Sequence, residues 1–391
     1  MDDREIIEYA SKSISHSIRD IAGYVDLSFG EPWFGPPPFA QIALQELAEE
    51  ATCLNRYAPP FGSMQLRIAI AERYRELYSV HVDPECVLVT HGASGAFCLS
   101  ILALTSPGDQ VMITDPTYML YERSSKILGR EPVHIPRRQL DFASIDIHDL
   151  DLALQRYPRS KVLIINSPEN PTGDVCSAEK LRELVTWCQT NGIWLLHDEV
   201  YDSFVFDGRH VPAIEVSEEK VVMMNSCSKR YGMPGIRIGW LIVKDKKVLQ
   251  ECSKIHDYCY FSVNVLAQEV AARVISEKTL PAWVSSQCDE IRMRTNRFTK
   301  VLNNSRMFEL DIVPKGAFFL FPRITEEGKR RVEESLSVSV SNAMAQYLKM
   351  EHKIAVVPGS VYGEHVKDRI RIVTAVAPSV FEEAIGRFAN L

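Results

Sequence analysis

No run of about 18 apolar residues occurs in the sequence, so nothing in it reads as a membrane-spanning helix. The first residues, Met1-Asp2-Asp3-Arg4-Glu5, are charged and lack the apolar core of a secretory signal. Cysteine occurs nine times but never as a CxxC pair; an odd, scattered set points to reduced thiols rather than a disulfide framework or a structural zinc site. A basic excess is missing too: 44 Lys+Arg stand against 51 Asp+Glu, a net charge of −7, so no nucleic-acid-binding face is expected. Internal repeats, low-complexity tracts and flexible linkers are likewise lacking. These absences lead to the expectation of a cytoplasmic protein with neither a membrane nor a nucleic-acid partner.

What is present is the composition of a globular protein, with 46% hydrophobic and 24% charged residues in 391, enough for two or three domains. Between Glu85 and Trp240, short apolar runs alternate with amphipathic stretches: Cys86-Val87-Leu88-Val89, Val111 to Thr114, Val162 to Ile165, Ile193 to Leu196, Val221 to Met224 and Ile238 to Val243. Such runs, separated by helical segments, predict a mostly parallel sheet buried on both faces, an α/β fold. Helices are expected over Ser94 to Leu104 and Ser177 to Thr190, the latter capped by Ser177 and stopped at Asn191-Gly192.

After Trp240 the pattern becomes helical from Asp245 to about Asn304, then mixed, with strands expected at Glu309 to Asp311 and Ala317 to Phe321. This predicts a smaller α+β domain formed by both chain ends. The expected organisation is an N-terminal segment, residues 1–45, joining the small domain; a large domain, 46–285; and a small C-terminal domain, 286–391. Near the N-terminus, helices are expected over Pro38 to Cys53 and Ser63 to Tyr78.

Open parallel sheets bind ligands beyond the carboxyl ends of their strands. Thr90-His91-Gly92-Ala93-Ser94-Gly95-Ala96 opens a helix there, and its free N–H groups suit a phosphate. Asn166 to Gly173 and His197-Asp198-Glu199-Val200-Tyr201 follow two further strands, and Ser226-Cys227-Ser228-Lys229 through Arg237 follows a fourth. A lysine amine condenses with carbonyls and needs a depressed pKa, which Arg237 would promote. An acid such as Asp198 keeps a pyridine nitrogen protonated and the ring an electron sink. Ser94, Ser226 and Arg237 could hold a phosphate. Together these groups describe a pyridoxal phosphate site.

The joint occurrence of Asn170-Pro171-Thr172-Gly173, Asp198-Glu199-Val200-Tyr201 and Ser226-x-Ser228-Lys229-x-x-Gly232-x-x-Gly235-x-Arg237-x-Gly239 resembles the class I/II aminotransferases, fold-type I pyridoxal phosphate enzymes, from about Val25 to Phe388. By that resemblance Lys229 forms the internal aldimine, Asp198 pairs with the pyridine nitrogen, and Asn170 and Tyr201 bond the ring's phenolic oxygen. The resemblance further implies that Tyr118 stacks on the ring and that Ala93, Ser94, Gly95, Ser226 and Arg237 hold the phosphate. Tyr57 would reach over from a partner subunit, so a homodimer with sites at the interface is implied. Asp368-Arg369-Ile370-Arg371 matches the segment whose arginine grips the α-carboxylate, with spacing favouring Arg371 over Arg369; Gly30 matches the loop that closes on the substrate. Glu169 and His197 depart from the commonest pattern; His197 is expected to be a packed residue, whereas His16 and His91 stay open.

The implied activity is transfer of an amino group from an amino acid to a 2-oxo acid through Lys229 and an α-carbanion. The same carbanion would serve an elimination, replacement or cyclisation enzyme, with a cationic amino acid as one substrate class. A cofactor-binding regulator is disfavoured because every expected catalytic group is present. Candidates for the side-chain pocket are Trp33, Tyr121, Tyr258 to Phe261 and Glu8 to His16, and for a second carboxylate-reading arginine Arg292, Arg294 and Arg297.

Overall fold

The computed structural model describes residues 23–50, 55–332 and 339–391. Strand β1 (Val25–Asp26) belongs to the smaller of two packed units, and the larger is built on seven strands. These are β2 (Val87–His91), β3 (Gln110–Asp115), β4 (Glu131–Pro136), β5 (Ser160–Asn166), β6 (Trp194–Asp198), β7 (Val221–Ser226) and β8 (Ile238–Ile242). Their spatial order is β2-β8-β7-β6-β5-β3-β4. Every pairing is parallel except the two made by β8.

Alternate side chains of the central strands enter opposite layers. Leu163, Ile165, Leu195 and Met223 join one cluster, Val162, Ile164, Leu196 and Met224 the other. That two-sided burial is why these strands read as unbroken apolar runs. Six of the seven strands lie at the predicted runs; β4 was not anticipated. Its Val133 and Ile135 are buried while Glu131 and His134 are exposed, and Pro132 and Pro136 remove two backbone donors, which an edge position tolerates.

The helix Ala178–Thr190 begins as expected, with Ser177 Oγ accepting from the Lys180 amide at 3.2 Å. The helical stretch after Trp240 resolves into Lys246–Tyr260, Val265–Ser276 and Leu280–Asn304. Helix Pro38–Glu50 starts inside the stretch 1–45, yet its Ala40 and Leu47 pack in the large unit, so the chain crosses between units before Pro38. Residues 1–22 and Cys53 lie outside the described residues, and with them the Glu8 to His16 stretch.

The small unit joins both chain ends: Val25 of β1 pairs in parallel with Ile354 of β12 (Ile354–Ala355). The two predicted strands are shorter than expected, β9 covering Phe308–Glu309 and β10 Phe319–Leu320; β11 (Arg323–Ile324) pairs with β9. Strand β14 (Ile370–Val373) lies between β10 and β13 (Val357–Pro358), antiparallel to both. Phe298, Phe308, Leu320, Ile372 and Phe381 fill its core. Among the described residues no helix is long and apolar enough to cross a membrane, and the eight described cysteines are free.

Candidate active site

Sheet register brings the candidate residues to one edge. Asn166 stands opposite Asp198 at the ends of β5 and β6, and Ser226 ends β7 beside them. Because β8 runs the other way, its preceding residue Arg237 arrives at the same edge, with Gly239 opposite Ser226. A cavity of about 190 Å³ opens there, lined by Ala93, Ser94, Tyr118, Asp198, Tyr201, Ser226, Lys229 and Arg237, among others.

One end of the cavity is built for an anion. Helix Gly92–Leu104 points its N-terminus into it, and four amides at such an end have no partner within the helix. Gly92 has φ +69°, and a Cβ there would lie 2.6 Å from Arg237 Nη2. A Cβ on Gly239 would lie 2.4 Å from the Gly92 carbonyl carbon, so only glycine lets the two segments approach. Ser226 caps the single-turn helix Cys227–Arg230, which carries Lys229. Gly95, expected among the phosphate contacts, is buried inside its helix against His91 and Thr90 and does not line the cavity.

Asp198 and Lys229 form the centre. Tyr121 Oη donates to Asp198 Oδ2 at 2.6 Å and the Val200 amide to Oδ1 at 3.1 Å. Burial raises the Asp198 carboxyl to about 6 in spite of these donors and of Lys229. Lys229 Nζ donates to the Gly30 carbonyl at 2.6 Å. Burial, then the like charges of Arg371 and Arg237, lower its amine to about 8, against the pull of Asp198.

Buried Arg371 lies close enough to Lys229 for its charge to act on the amine. Arg371 Nη1 donates to Asn170 Oδ1 at 3.1 Å and Nη2 to the Ser28 carbonyl, while Nε has no partner. Arg369 instead makes a two-pronged pair with Asp311, both contacts 2.6 Å, which removes it from the site. Tyr201 is buried edge-on against Phe318 and Phe319. Tyr57 is 76% exposed, packs on the Phe261 ring at 4.6 Å and lies outside this cavity.

Several expectations change. Tyr121, placed by sequence near the substrate side chain, lines the cavity and is also Asp198's hydrogen-bond partner, a contact that sequence reasoning missed. Tyr258 and Phe261 are exposed rather than cavity-lining. Glu169 is turned away, held at 2.7 Å by buried Arg137. His197 is fully buried, 3.0 Å from Glu199 Oε1, with His210 at 3.6 Å. Glu199 also accepts from Tyr74 and from the Ala213 amide. Burial opposes its ionisation, but His197 and His210 outweigh that and hold it near 2, a buried hub next to Asp198 that sequence reasoning missed. His91 packs its ring at a tilt against Tyr260, 4.7 Å between centres, and does not line the cavity. Arg292, Arg294 and Arg297, the candidates for a second carboxylate, pair with Asp207, Glu290 and Glu382, and none of them lines this cavity.

The chain matches the family model "Aminotransferase class I and II" over residues 22–388. It is 28% identical to an aspartate aminotransferase of Pyrococcus horikoshii, covering 98% of this chain and 92% of that one. It is 29% identical to aromatic-amino-acid aminotransferase 2 of Thermococcus litoralis, covering 95% and 92%. The solved structure of an aromatic aminotransferase from Pyrococcus horikoshii superposes with a TM-score of 0.84 at 28% identity, covering 95% of this chain and 96% of that one. With the fold matched along nearly its whole length, the chain belongs to the class I and II aminotransferases and is an enzyme of the aminotransferase type.

Proposed function

We propose that the cavity takes pyridoxal 5′-phosphate, that Lys229 anchors it, and that the enzyme moves an amino group between an α-amino acid and a 2-oxo acid. The observation carrying this reading is one cavity that joins an enclosed lysine amine, a buried carboxylate and an arginine-backed helix N-terminus. The donor set fits the group: a phosphate matches the Gly92 cradle beside Arg237, Ser94 and Ser226, and a cationic ring nitrogen would relieve the buried Asp198 carboxylate. Tyr118 and Tyr201 wall the cavity, the first where a ring would stack and the second as a donor to its phenolic oxygen, a role that Asn170, whose Oδ1 accepts from Arg371, would share.

When bound, the cofactor supplies an electron sink for negative charge at the substrate α-carbon. The rest falls to the chain. Asp198 holds a proton on the ring nitrogen, with Tyr121 and the Val200 amide fixing the carboxylate's orientation. Lys229 Nζ, with its amine near 8, is basic enough to take the α-proton and acidic enough to return one near neutral pH. Arg371 and Asn170 orient the substrate through its α-carboxylate, and the backbone at Gly30 closes the side nearest Lys229.

The exposed Tyr57 completes the phosphate site of a second copy, making the working unit a homodimer. Free thiols throughout the described chain support a cytoplasmic location. Borohydride reduction of the cofactor-loaded enzyme followed by peptide mapping tests the anchor: the pyridoxyl mass should sit on Lys229, and its appearance only on another lysine would refute the assignment.

A further inference from the structure

We infer that Tyr362 is a substrate-binding residue whose phenol hydroxyl joins Arg371 Nε in holding the carboxylate of the amino acid and of the oxo acid. The inference rests on the proposed role of Arg371 as the carboxylate anchor. Tyr362 is 1% exposed, in the turn between β13 and β14. Its ring is fixed by packing with Leu140, Phe321, Val357 and Val366, the Phe321 ring meeting it edge-on at 5.9 Å.

The surrounding backbone is equally constrained. Tyr362 N donates to the Gly359 carbonyl at 2.8 Å, and its own carbonyl accepts from the Thr117 amide at 2.9 Å. His365 Nδ1 lies 2.7 Å from Asp115 Oδ2, and a Cβ on Gly363 would fall 1.8 Å from Asp115 Oδ1. The turn is thereby pinned to the end of β3, only a few residues before Tyr118.

Within this rigid frame the Tyr362 hydroxyl is buried without an aligned hydrogen-bond partner. The Arg371 guanidinium carbon lies 5.4 Å from the Tyr362 ring centre; Arg371 bears on the phenol through its charge and through a loose side-chain contact in which the hydroxyl oxygen can only accept, leaving the phenol proton without an acceptor, and Tyr118 and Arg123 act through charge alone. Tyr201, on the cavity wall, feels it in turn. Burial keeps the phenol neutral, so it remains an O–H donor at any working pH. Arg371 Nε, the guanidinium nitrogen not engaged by Asn170 or Ser28, is buried and unpartnered as well.

A phenylalanine would fill the same space without burying an unpaired hydroxyl, so the hydroxyl has a partner to gain when ligand enters. A carboxylate has two acceptor oxygens, one for each waiting donor, and both contacts would be charge-assisted.

The test compares wild-type and Tyr362→Phe holoenzymes. The probes are the L-amino acid that the wild type turns over fastest with 2-oxoglutarate, the amine left when that acid loses its α-carboxylate, and propionate as a carboxylate-only competitor. The variant should show KM for amino acid and 2-oxoglutarate raised about tenfold or more, with the propionate inhibition constant raised in step. Its kcat, its half-reaction with the amine and its thermal midpoint should stay near wild type. An unchanged amino-acid KM would overturn the inference, as would equal losses with amino acid and amine, which mark a structural role. Failure of the wild type to transaminate any amino acid is a separate result and removes the reading on which the inference rests.

Discussion

Replacing Lys229 by alanine should abolish the visible absorbance of the cofactor-loaded enzyme and lower kcat by about 10⁴-fold or more. In the proposed reaction two functions reside on one atom: Lys229 Nζ is the amine that condenses with a carbonyl and the base that moves the α-proton. Enclosure and two neighbouring arginines lower that amine to about 8, which leaves a usable neutral fraction at physiological pH. Its Nζ donates to the Gly30 carbonyl, a contact that water can replace in the alanine variant. The sign of the stability effect follows: an amine with a lowered folded pKa costs stability below about pH 8, and that cost fades as pH rises toward the ordinary lysine value. The apo variant should therefore be at least as stable as wild type at pH 7. Added methylamine should restore part of the proton transfer. Wild-type absorbance together with wild-type kcat in this variant would remove Lys229 from the mechanism.

Asp198→Asn should have the next largest effect, lowering kcat by about 10²–10³-fold while making the apoprotein more stable. Burial lifts the folded carboxyl to about 6, above the usual value, so the folded state binds its proton more tightly than the unfolded chain does. The stability this carries is fully present below about pH 4 and is lost as pH rises through about 6. Asparagine has no such loss. Urea unfolding of the apoproteins should place the variant ahead by about 2 kcal/mol at pH 7.5, with the gap closing toward pH 4. Cofactor binding should reverse the order, because a cationic ring nitrogen stabilises the carboxylate and not the amide. A less stable apo variant at pH 7.5 would mean that Asp198 is held by native partners strong enough to outweigh its burial.

The central sheet was legible because its strands are buried on both faces and leave uninterrupted apolar runs, whereas β4, half-covered and bearing Pro132 and Pro136, leaves none. Asp198 and Lys229 were legible because one ends β6 and the other follows β7, at the edge where such sheets bind ligands, whereas Arg237 reaches that edge from the start of antiparallel β8. Relations between distant segments were not. Tyr121 meets Asp198 across 77 residues, and His365 meets Asp115 across 250. The sorting of Arg369 from Arg371 became physical only when Asp311 was seen to hold the former. Glycine at position 92 reads as an ordinary helix start until Arg237 and Gly239 crowd it. The arginines on helix Leu280–Asn304 looked available in sequence, but their acid partners lie elsewhere or one turn away.

The most direct measurement of the central claim is product analysis by mass spectrometry after incubating the holoenzyme with each of the common L-amino acids, with and without 2-oxoglutarate. Transamination predicts a 2-oxo acid from the donor and glutamate from the acceptor in equal amounts, in sustained turnover only when 2-oxoglutarate is present. Sustained product formation without 2-oxoglutarate, as released ammonia or a cyclised amino acid, would contradict it.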